Sequence, residues 1–288
     1  MCGSRLLGRQ EKGADVTKPF EVLLASDFTA RSDRPLDRAA RIAAERKGEL
    51  VIAHVLEGTR KNPVDETAII EALKADLPEQ VAGAELVIRS GSAPKTLASI
   101  ASERGSDLIA TGVARYNSIG DFVLGTAVDH IIRNATAPVL IVRRRPKHNY
   151  RRLLVATDCS DCSRTALLAA ARLFPHIPIT VTHAFHVPYQ AWLKSDDVKQ
   201  YVRAEAQEGL NAFLAHQEIT PDIAVRVEAM IDEGETGSVV ARQLTRTGAD
   251  LLVLGTHGHG GFVHATIGSQ AEALLESVDV DVLMVRGS

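Results

Sequence analysis

The sequence contains one pattern twice, and the two copies lie far enough apart to form separate domains. Near the start of each half, residues 22–27 match residues 153–158 at an offset of 131. Further on, the offset is 143, at Gly91 and Gly234, Asp107 and Asp250, Gly112 and Gly255, Gly125 and Gly268, and Val139 and Val282. The second half therefore carries about twelve extra residues in its middle. A period of this length lies far above the solenoid range, so the 288 residues are predicted to form two complete domains.

Short apolar runs of strand length alternate with segments whose apolar residues recur at helical spacing. In the first half, strands are predicted at residues 21–25, 50–55, 85–88, 107–111 and 139–142, with helices at 36–44, at 65–77, after Pro94 and from Thr126. In the second half, strands are predicted at residues 153–157, 179–183, 224–230, 250–254 and 282–285, with a charged helix over 196–214. Strands this apolar are buried on both faces of a parallel sheet. The predicted fold is α/β, with two tandem Rossmann-like domains, each an open five-stranded parallel sheet with helices on both faces.

Domain boundaries follow from the repeat and from one short polar segment. Residues 144–150 are polar and contain Pro146, as expected of a linker. Domain 1 is therefore predicted at residues 19–145 and domain 2 at residues 150–288. Residues 1–18 are polar and charged, without the apolar core of a signal peptide, and are predicted to form a flexible N-terminal tail.

Charge and composition argue against several function classes. The net charge is −3 and the Lys and Arg residues are scattered, which gives no basic field for a nucleic acid. The three arginines at 143–145 are interpreted as a solvated strand end. No apolar stretch is long enough to cross a bilayer, and three cysteines are too few for a disulfide framework. We expect a protein of the reducing cytoplasm that binds neither nucleic acid nor membrane.

The second half carries a glycine pattern typical of a phosphate-binding loop. A predicted strand runs directly into Gly255 and Gly258, and Gly268 and Ser269 follow after a nine-residue spacer. Ligands of open parallel sheets bind beyond the carboxyl ends of the strands, where glycines let backbone N–H groups approach phosphate oxygens. A helix predicted at residues 270–276 would direct its N-terminal N–H groups to an anion, with the Ser269 hydroxyl as a further donor. The simpler alternative is that the glycines serve only in turns and Ser269 only as an N-cap.

The first half keeps part of this pattern. Gly112, Gly125 and Thr126 match the second half, but Arg115 stands where the second glycine should be. Its Cβ and long side chain lie where a backbone would have to approach phosphates closely, so the first site is predicted to be empty or weak. In the alternative, the Arg115 guanidinium pairs with phosphate oxygens and replaces the backbone donors.

With these motifs, each half resembles a domain of the universal stress protein family, over about residues 19–145 and 150–287. ATP-binding members of that family carry G-x2-G-x9-G-(S/T) after the fourth strand, and this motif is complete in the second half. The resemblance implies an adenine nucleotide alpha hydrolase-like fold that binds ATP, with or without Mg²⁺, mainly in domain 2. The implied contacts are Ala156, Thr157, Asp158, Ala184, Gly255, Gly258, Gly268, Ser269 and Gln270. Asp158 would read the adenine edge, and Ala184 would line the base pocket.

The counterparts in domain 1 are Asp27, Val55, Gly112, Gly125 and Thr126. Before the last strand, Asp281 replaces Pro138, which we interpret as a small local change without bearing on the nucleotide. Family members commonly pair through this last strand, so the resemblance implies a pseudo-dimer within the chain. A homodimer of two chains stays open, because exposed apolar edges invite pairing.

Two clusters near the predicted loops allow competing interpretations. Cys159 and Cys162 form a C-x-x-C motif at the start of a predicted helix, where a lowered thiol pKa would permit redox chemistry. The alternative is that they are incidental small residues of the turn. His257, His259 and His264 could hold zinc, although their spacing is not that of a known zinc site and solvent or phosphate contact is the simpler role.

Other residues are assigned structural roles. His54 and His183 recur inside apolar strands and are interpreted as core histidines with satisfied hydrogen bonds. Tyr189, Trp192 and Leu193 fall in the extra residues of the second half. Their apolar side is expected to pack on the sheet, with an exposed partner or lid surface as the alternative.

Three function classes follow from the sequence. The first is an ATP-binding protein with a regulatory or stress-tolerance role, as the resemblance implies. The second is a slow ATPase or nucleotidyl-transferring enzyme, for which Asp232 and Glu233 are the nearest candidate bases, although there is no Walker-type lysine and we assign no catalytic residue. The third is a partner-binding module, or one that binds an apolar ligand, without nucleotide.

Overall fold

The computed structural model describes residues 18–57, 66–75, 77–113, 115–118, 121–123, 126–187, 196–257 and 267–287. Outside these ranges lie the predictions for the N-terminal tail and for Cys2, Gly125, Tyr189, Trp192, Leu193, Gly258, His259 and His264. Within them, none of the helices has the length and apolar character needed to cross a membrane.

Domain 1 contains an open sheet of five parallel strands. Its elements in chain order are β1 (Glu21–Ala25), α1 (Asp33–Glu45), β2 (Glu49–Leu56), α2 (Glu66–Ala75), β3 (Glu85–Ser90), α3 (Ala93–Arg104), β4 (Leu108–Gly112), β5 (Arg115–Ser118), β6 (Asp121–Val123), α4 (Thr126–Asn134) and β7 (Val139–Val142). The strand order is β3-β2-β1-β4-β7, with all four pairings parallel. The central strands are buried on both faces, as their continuous apolar sequences predict.

Domain 2 repeats this topology. Its elements are β8 (Leu153–Thr157), α5 (Asp161–Leu173), β9 (Ile179–Phe185), α6 (Asp196–Leu214), α7 (Pro221–Ala224), β10 (Val227–Glu233), α8 (Thr236–Thr247), β11 (Leu251–Gly255), α9 (Ser269–Ser277) and β12 (Asp281–Val285). The strand order is β10-β9-β8-β11-β12, again with parallel pairings. The predicted α/β fold, with two open five-stranded parallel sheets, is confirmed.

The two sheets join edge to edge into one sheet of ten strands. Strands β7 and β12 pair antiparallel, with Leu140 opposite Leu283. This is the pairing within the chain that the sequence predicts for a pseudo-dimer. It leaves β3 and β10 as the two outer strands of the continuous sheet.

Helices cover both faces of this sheet and bury two hydrophobic cores. One core contains side chains of α1, α5 and α6, and the other contains side chains of α3, α4, α8 and α9. Ile42 and Leu167 represent the first core, and Ile100 and Leu275 represent the second. Both cores are continuous across the domain junction, so the two halves bury apolar surface against each other as well as within themselves.

Two local features differ from the prediction. Strand β10 begins at Val227, because Thr220 and Pro221 start the short helix α7 in the place where residues 224–226 were expected to be extended. In domain 1, β5 and β6 form an antiparallel hairpin that pairs Arg115 with Val123. The segment that was expected to be a damaged phosphate loop therefore has regular β-structure of its own.

The domain junction also corrects the sequence interpretation. Arg143 is not solvated: its side chain is 9% exposed and donates to the carbonyl oxygen of Leu275. Asp281 is 2% exposed and forms an ion pair of 3.2 Å with Arg38 and a hydrogen bond of 2.7 Å with Tyr150. We refer to Arg38, Tyr150 and Asp281 as the junction cluster. The replacement of proline by Asp281 is thus more than a small local change.

Candidate functional site

A cleft of about 430 Å³ lies at the carboxyl ends of the strands of domain 2. The predicted residues that line it are Ala156, Thr157, Asp158, Ala184, Gly255, Gly268, Ser269 and Gln270. They come from four separate segments, which are the carboxyl ends of β8, β9 and β11 and the start of α9. Of the nine nucleotide contacts predicted for domain 2, Gly258 alone lies outside the described ranges. We call this space the domain 2 cleft.

The turn after β8 places Asp158 at the cleft. The Asp158 carboxylate accepts the backbone N–H of Ser160 at 3.1 Å, and Ser160 in turn caps α5 by accepting the N–H of Ser163. Cys159, between them, has a left-handed φ of 65°. Its counterpart after β1, Phe28, has a φ of 53°, so both domains hold a non-glycine residue in this costly conformation next to the aspartate.

The two strand histidines fix the end of the first strand in each domain. His183 Nδ1 lies 2.9 Å from the carbonyl oxygen of Thr157, and His54 Nδ1 lies 2.9 Å from that of Ser26. Because a carbonyl oxygen can only accept, Nδ1 carries the proton in both rings. The prediction of hydrogen-bonded structural histidines is confirmed.

Gly255 is required by helix packing. A Cβ at this position would lie 2.8 Å from Cys162 Sγ and 3.1 Å from the Cys162 carbonyl group in the first turn of α5. No real Cβ atom tolerates the shorter contact without movement of its neighbours. The sequence argument, which considered phosphate approach or a turn for this glycine, missed the close contact between β11 and α5.

The start of α9 offers backbone donors to the cleft. Gly268 is the N-cap residue and, as a glycine, has no side chain with which to cap the helix. The Gly268 N–H donates to the Thr256 carbonyl oxygen at 2.8 Å, which holds the helix start against the end of β11. The N–H groups of the first turn, with the Ser269 hydroxyl beside them, form the type of site that binds anions at helix N-termini.

His257 is a cleft residue that the sequence argument considered for zinc and, more simply, for contact with solvent or phosphate. Its Nδ1 lies 2.9 Å from the Thr256 hydroxyl, whereas its Nε2 is buried and has no hydrogen-bond partner among the described residues. A buried nitrogen of this kind favours a polar ligand group nearby. His183, which the sequence analysis assigned to the core, also lines the cleft. Other lining residues that the sequence did not single out are Ser163, Thr182, Thr236, Val240, Leu254, Thr256, Ala271 and Leu274. The apolar residues in this list recur at helical and strand spacing, so in the sequence they cannot be distinguished from ordinary core residues.

The corresponding turn of domain 1 satisfies its own aspartate. Asp27 Oδ1 accepts the N–H of Thr29 at 2.9 Å, the Thr29 hydroxyl at 2.8 Å and the Ser32 hydroxyl at 2.7 Å. Burial alone would raise the pKa of Asp27, but these hydrogen bonds outweigh it and leave the pKa below its usual value. A carboxylate oxygen with three internal donors has little capacity left for a ligand.

The remaining domain 1 positions are only partly described. Val55 is buried at the end of β2, and Thr126 begins α4. A Cβ on Gly112 would lie 3.3 Å from the Arg31 carbonyl oxygen, so this glycine also faces the first helix of its domain. Gly125 lies outside the described residues.

The C-x-x-C motif lacks the environment of a redox site. Burial, followed by the nearby Asp158 carboxylate, raises the pKa of Cys159 to about 11. A reactive cysteine needs the opposite shift, toward the thiolate at neutral pH. Cys159 and Cys162 are both free thiols, so the interpretation as incidental small residues is the better one.

The two candidate bases are engaged elsewhere. Asp232 pairs with Arg242 at 2.9 Å and Glu233 pairs with Lys199 at 2.6 Å, and neither lines the cleft. The hydrogen bond from Arg242 holds the pKa of Asp232 below its usual value, which makes it a weaker base. Among the described residues, no group of three or more His, Cys, Asp or Glu side chains is arranged to hold a metal ion.

The chain matches the model of the universal stress protein family twice, over residues 20–143 and 149–286. It is 23% identical over 302 residues to a universal stress protein of Mycolicibacterium smegmatis, covering 93% of this chain and 97% of that protein. It is 26% identical to universal stress protein Rv2005c of Mycobacterium tuberculosis, covering 94% and 98% of the two chains. Its fold is similar to a solved universal stress protein of Archaeoglobus fulgidus, with a TM-score of 0.64 and 17% identity over 93% of this chain and 98% of that one. The chain therefore belongs to the universal stress protein family and carries two family domains in tandem.

Proposed function

We propose that this universal stress protein binds ATP, held mainly by domain 2, and that nucleotide occupancy serves a regulatory or stress-tolerance role. The observation that carries the proposal is convergence: eight residues predicted from sequence line one cleft. Those residues are distant in the chain, and their convergence at the carboxyl ends of parallel strands is typical of nucleotide sites in open α/β sheets.

The base would lie at the Asp158 end of the cleft. A carboxylate accepts hydrogen bonds, so Asp158 suits the exocyclic amino group of adenine and disfavours the carbonyl oxygen of guanine. Ala156 and Ala184 have short side chains that leave room for a ring at the carboxyl ends of β8 and β9. The apolar side chains of Val240, Leu254 and Leu274 supply the surface on which a base and ribose would pack.

The phosphates would lie at the start of α9. The uncapped first turn and the Ser269 hydroxyl are donors, and the positive end of the helix dipole favours an anion. His257 Nε2 is a further group that could bond a phosphate oxygen, because it is buried in the cleft and no described residue forms a hydrogen bond with it. The cleft contains no cluster of carboxylates among the described residues, so any Mg²⁺ would be held chiefly by the phosphates.

A regulatory role is favoured over rapid turnover. Phosphoryl transfer needs a positioned base or a metal-binding carboxylate beside the phosphates. Asp158 lies at the end of the cleft that we propose for adenine, away from the phosphates. Asp232 and Glu233 form ion pairs away from the cleft. We also propose a cytoplasmic location, because the net charge and sparse cysteines fit a reducing compartment rich in nucleotide.

Calorimetric titration with Mg-ATP tests the proposal through a matched pair of variants. We expect one site per chain in the wild type, and Asp158→Ala to weaken binding about tenfold or more, because a hydrogen bond to a charged group is lost. The same change in domain 1, Asp27→Ala, is expected to leave the affinity within about twofold. GTP should bind wild type more weakly than ATP.

A second variant copies the domain 1 defect into domain 2. Gly258→Arg introduces the residue found at Arg115 and is expected to abolish ATP binding. Two sites per chain in the wild type would show that domain 1 also binds. The absence of any heat, together with no nucleotide retained through purification, would contradict the proposal and favour a partner-binding module.

A further inference from the structure

A second, larger cleft of about 1180 Å³ lies at the junction of the two domains. Seven of its 21 lining residues are Lys or Arg, and three are Asp. The whole chain has a net charge of −3, so this concentration of positive charge is local. We call this space the junction cleft.

The junction cleft is separate from the domain 2 cleft. Its lining includes Asp250 and Asp281, which stand at the amino ends of β11 and β12, whereas the domain 2 cleft lies at the carboxyl ends of the same sheet. The Asp250 and Asp281 side of the junction cleft therefore lies one five-residue strand length, ~16 Å, from the domain 2 cleft. The two clefts approach each other at the start of α8, where Thr236 lines the domain 2 cleft and Gly237 lines the junction cleft.

The floor of the junction cleft is fixed by the junction cluster. Arg38 is 6% exposed and is held by Asp281, by the His148 carbonyl oxygen at 3.0 Å and by the ring of Tyr150. Burial and the neighbouring Asp281 raise the pKa of Tyr150, so the phenol is neutral at physiological pH. Contacts within the chain therefore hold the Arg38 guanidinium at the floor of the cleft.

The rim, by contrast, carries cations that are weakly engaged. Arg144, Arg145 and Arg151 are 63%, 68% and 70% exposed. Their ion pairs with aspartates span 3.7, 3.5 and 3.8 Å, longer than the ~2.8 Å of a charge-assisted hydrogen bond. Lys147 also lines the cleft and forms no ion pair within the described ranges. Loose, exposed pairs contribute little free energy and can be exchanged for contacts with a ligand.

The opposite wall is formed by small residues of α8. Gly237, Ser238, Ala241, Thr245 and the C-cap residue Gly248 line it, and all are exposed. Side chains of this size leave the space in front of the arginines open. The cleft thus has one smooth wall and one wall of guanidinium groups.

We propose that the junction cleft binds a small anion with two or more linked phosphate groups. Four rim cations from one short linker segment can contact several phosphate oxygens together, and arginine's planar fork matches phosphate geometry. A single phosphate would engage only part of this rim. The site is independent of the nucleotide proposed for domain 2, because it shares no lining residue with that cleft.

Calorimetric titration of the full chain with inorganic tripolyphosphate tests the site. The triple variant Arg144→Gln, Arg145→Gln, Arg151→Gln is expected to bind tripolyphosphate at least about tenfold more weakly than wild type. A control removes three exposed cations elsewhere, Arg41→Gln, Lys74→Gln and Arg203→Gln, with the same change in net charge. The control should bind within about twofold of wild type, and orthophosphate should bind wild type much more weakly.

A further variant separates this site from the domain 2 cleft. Ser269→Asp puts a carboxylate at the start of α9 and is expected to leave tripolyphosphate binding intact. Loss of binding in Ser269→Asp but not in the triple variant would overturn the proposal by assigning the anion to domain 2. Equal weakening in the triple and control variants would overturn it as non-specific charge attraction. The absence of any heat when tripolyphosphate is titrated into the wild type would also overturn the proposal. If the wild type binds hexaglutamate but not tripolyphosphate, the proposal is likewise overturned, and an acidic protein partner is favoured instead.

Discussion

The phenol of Tyr150 donates a 2.7 Å hydrogen bond to Asp281, and both side chains are almost fully buried between the two domains. Arg38 Cζ lies 3.9 Å from the centroid of the Tyr150 ring, and its Nε lies 3.2 Å from the same carboxylate. The other carboxylate oxygen accepts the backbone N–H groups of Arg143 and Arg144. One aspartate therefore connects α1 of domain 1, the linker and β12 of domain 2.

Asp281→Asn is expected to lower the free energy of unfolding by about 3 kcal/mol, because it leaves the buried Arg38 guanidinium without its counter-charge. Tyr150→Phe removes a single hydrogen bond to a charged group and should cost about 1.5 kcal/mol. Urea denaturation followed by circular dichroism measures both. Wild-type stability in Asp281→Asn would show that the junction cluster does not contribute to folding.

Gly255→Ala is expected to destabilise the protein by about 2 kcal/mol, because the new Cβ would meet Cys162 at 2.8 Å. The matched change in domain 1, Gly112→Ala, has its nearest contact at 3.3 Å and should cost less. Adding Cys162→Ala to Gly255→Ala removes the sulfur and should restore part of the stability. Thermal unfolding measures the series, and an equal cost for the two glycines would contradict the packing argument.

Ser269→Asp is expected to separate ATP binding from stability. A carboxylate at the first position of α9 interacts favourably with the helix dipole and should raise the free energy of unfolding by about 0.5 kcal/mol. The same carboxylate repels phosphate groups, so ATP binding should fall below detection. Calorimetry and thermal unfolding on one preparation give both values. ATP binding at wild-type affinity would exclude the start of α9 as the phosphate site.

Cys159 is expected to react slowly with iodoacetamide. With its pKa raised from 9.0 to about 11, its thiolate fraction at pH 8 is about a hundredfold below that of an unperturbed thiol. The test uses a variant with Cys2 and Cys162 replaced by serine. Alkylation should accelerate about tenfold per pH unit up to a pH near 11, whereas the same chain in urea should react at the ordinary rate. An alkylation rate that stops increasing below pH 9 would show a lowered thiol pKa and would support the redox interpretation.

The fold was predictable because its signals are local. Strands β1, β7 and β8 and helix α6 have the bounds that apolar periodicity predicts, and the internal repeat makes each half a check on the other. Strand β10 was misplaced at its start because a four-residue helix at Pro221 leaves no periodic signal. The β5–β6 hairpin was missed because attention to the glycine spacing assigned that segment to a loop.

The candidate site was predictable only where residue type reflects a backbone requirement. Gly268 stands at a helix start that motif spacing identifies, whereas Asp158 stands at a strand end where the family resemblance implies a contact. The lining residues Val240 and Leu274 resemble core side chains in sequence, and only tertiary structure brings them to the cleft. The junction cluster is harder still, because Arg38 and Asp281 are more than 240 residues apart and no repeat position predicts their contact.

The antiparallel pairing of β7 with β12 has a consequence for how the two halves can diverge. When partners share one chain, their association depends on a fixed effective concentration and does not weaken on dilution. Each half then meets the same neighbour in every molecule, so one copy can specialise in ligand binding while the other is retained for its contribution to folding. The two aspartates already differ in this way: Asp27 Oδ1 accepts three hydrogen bonds within its own turn, whereas Asp158 lines the domain 2 cleft.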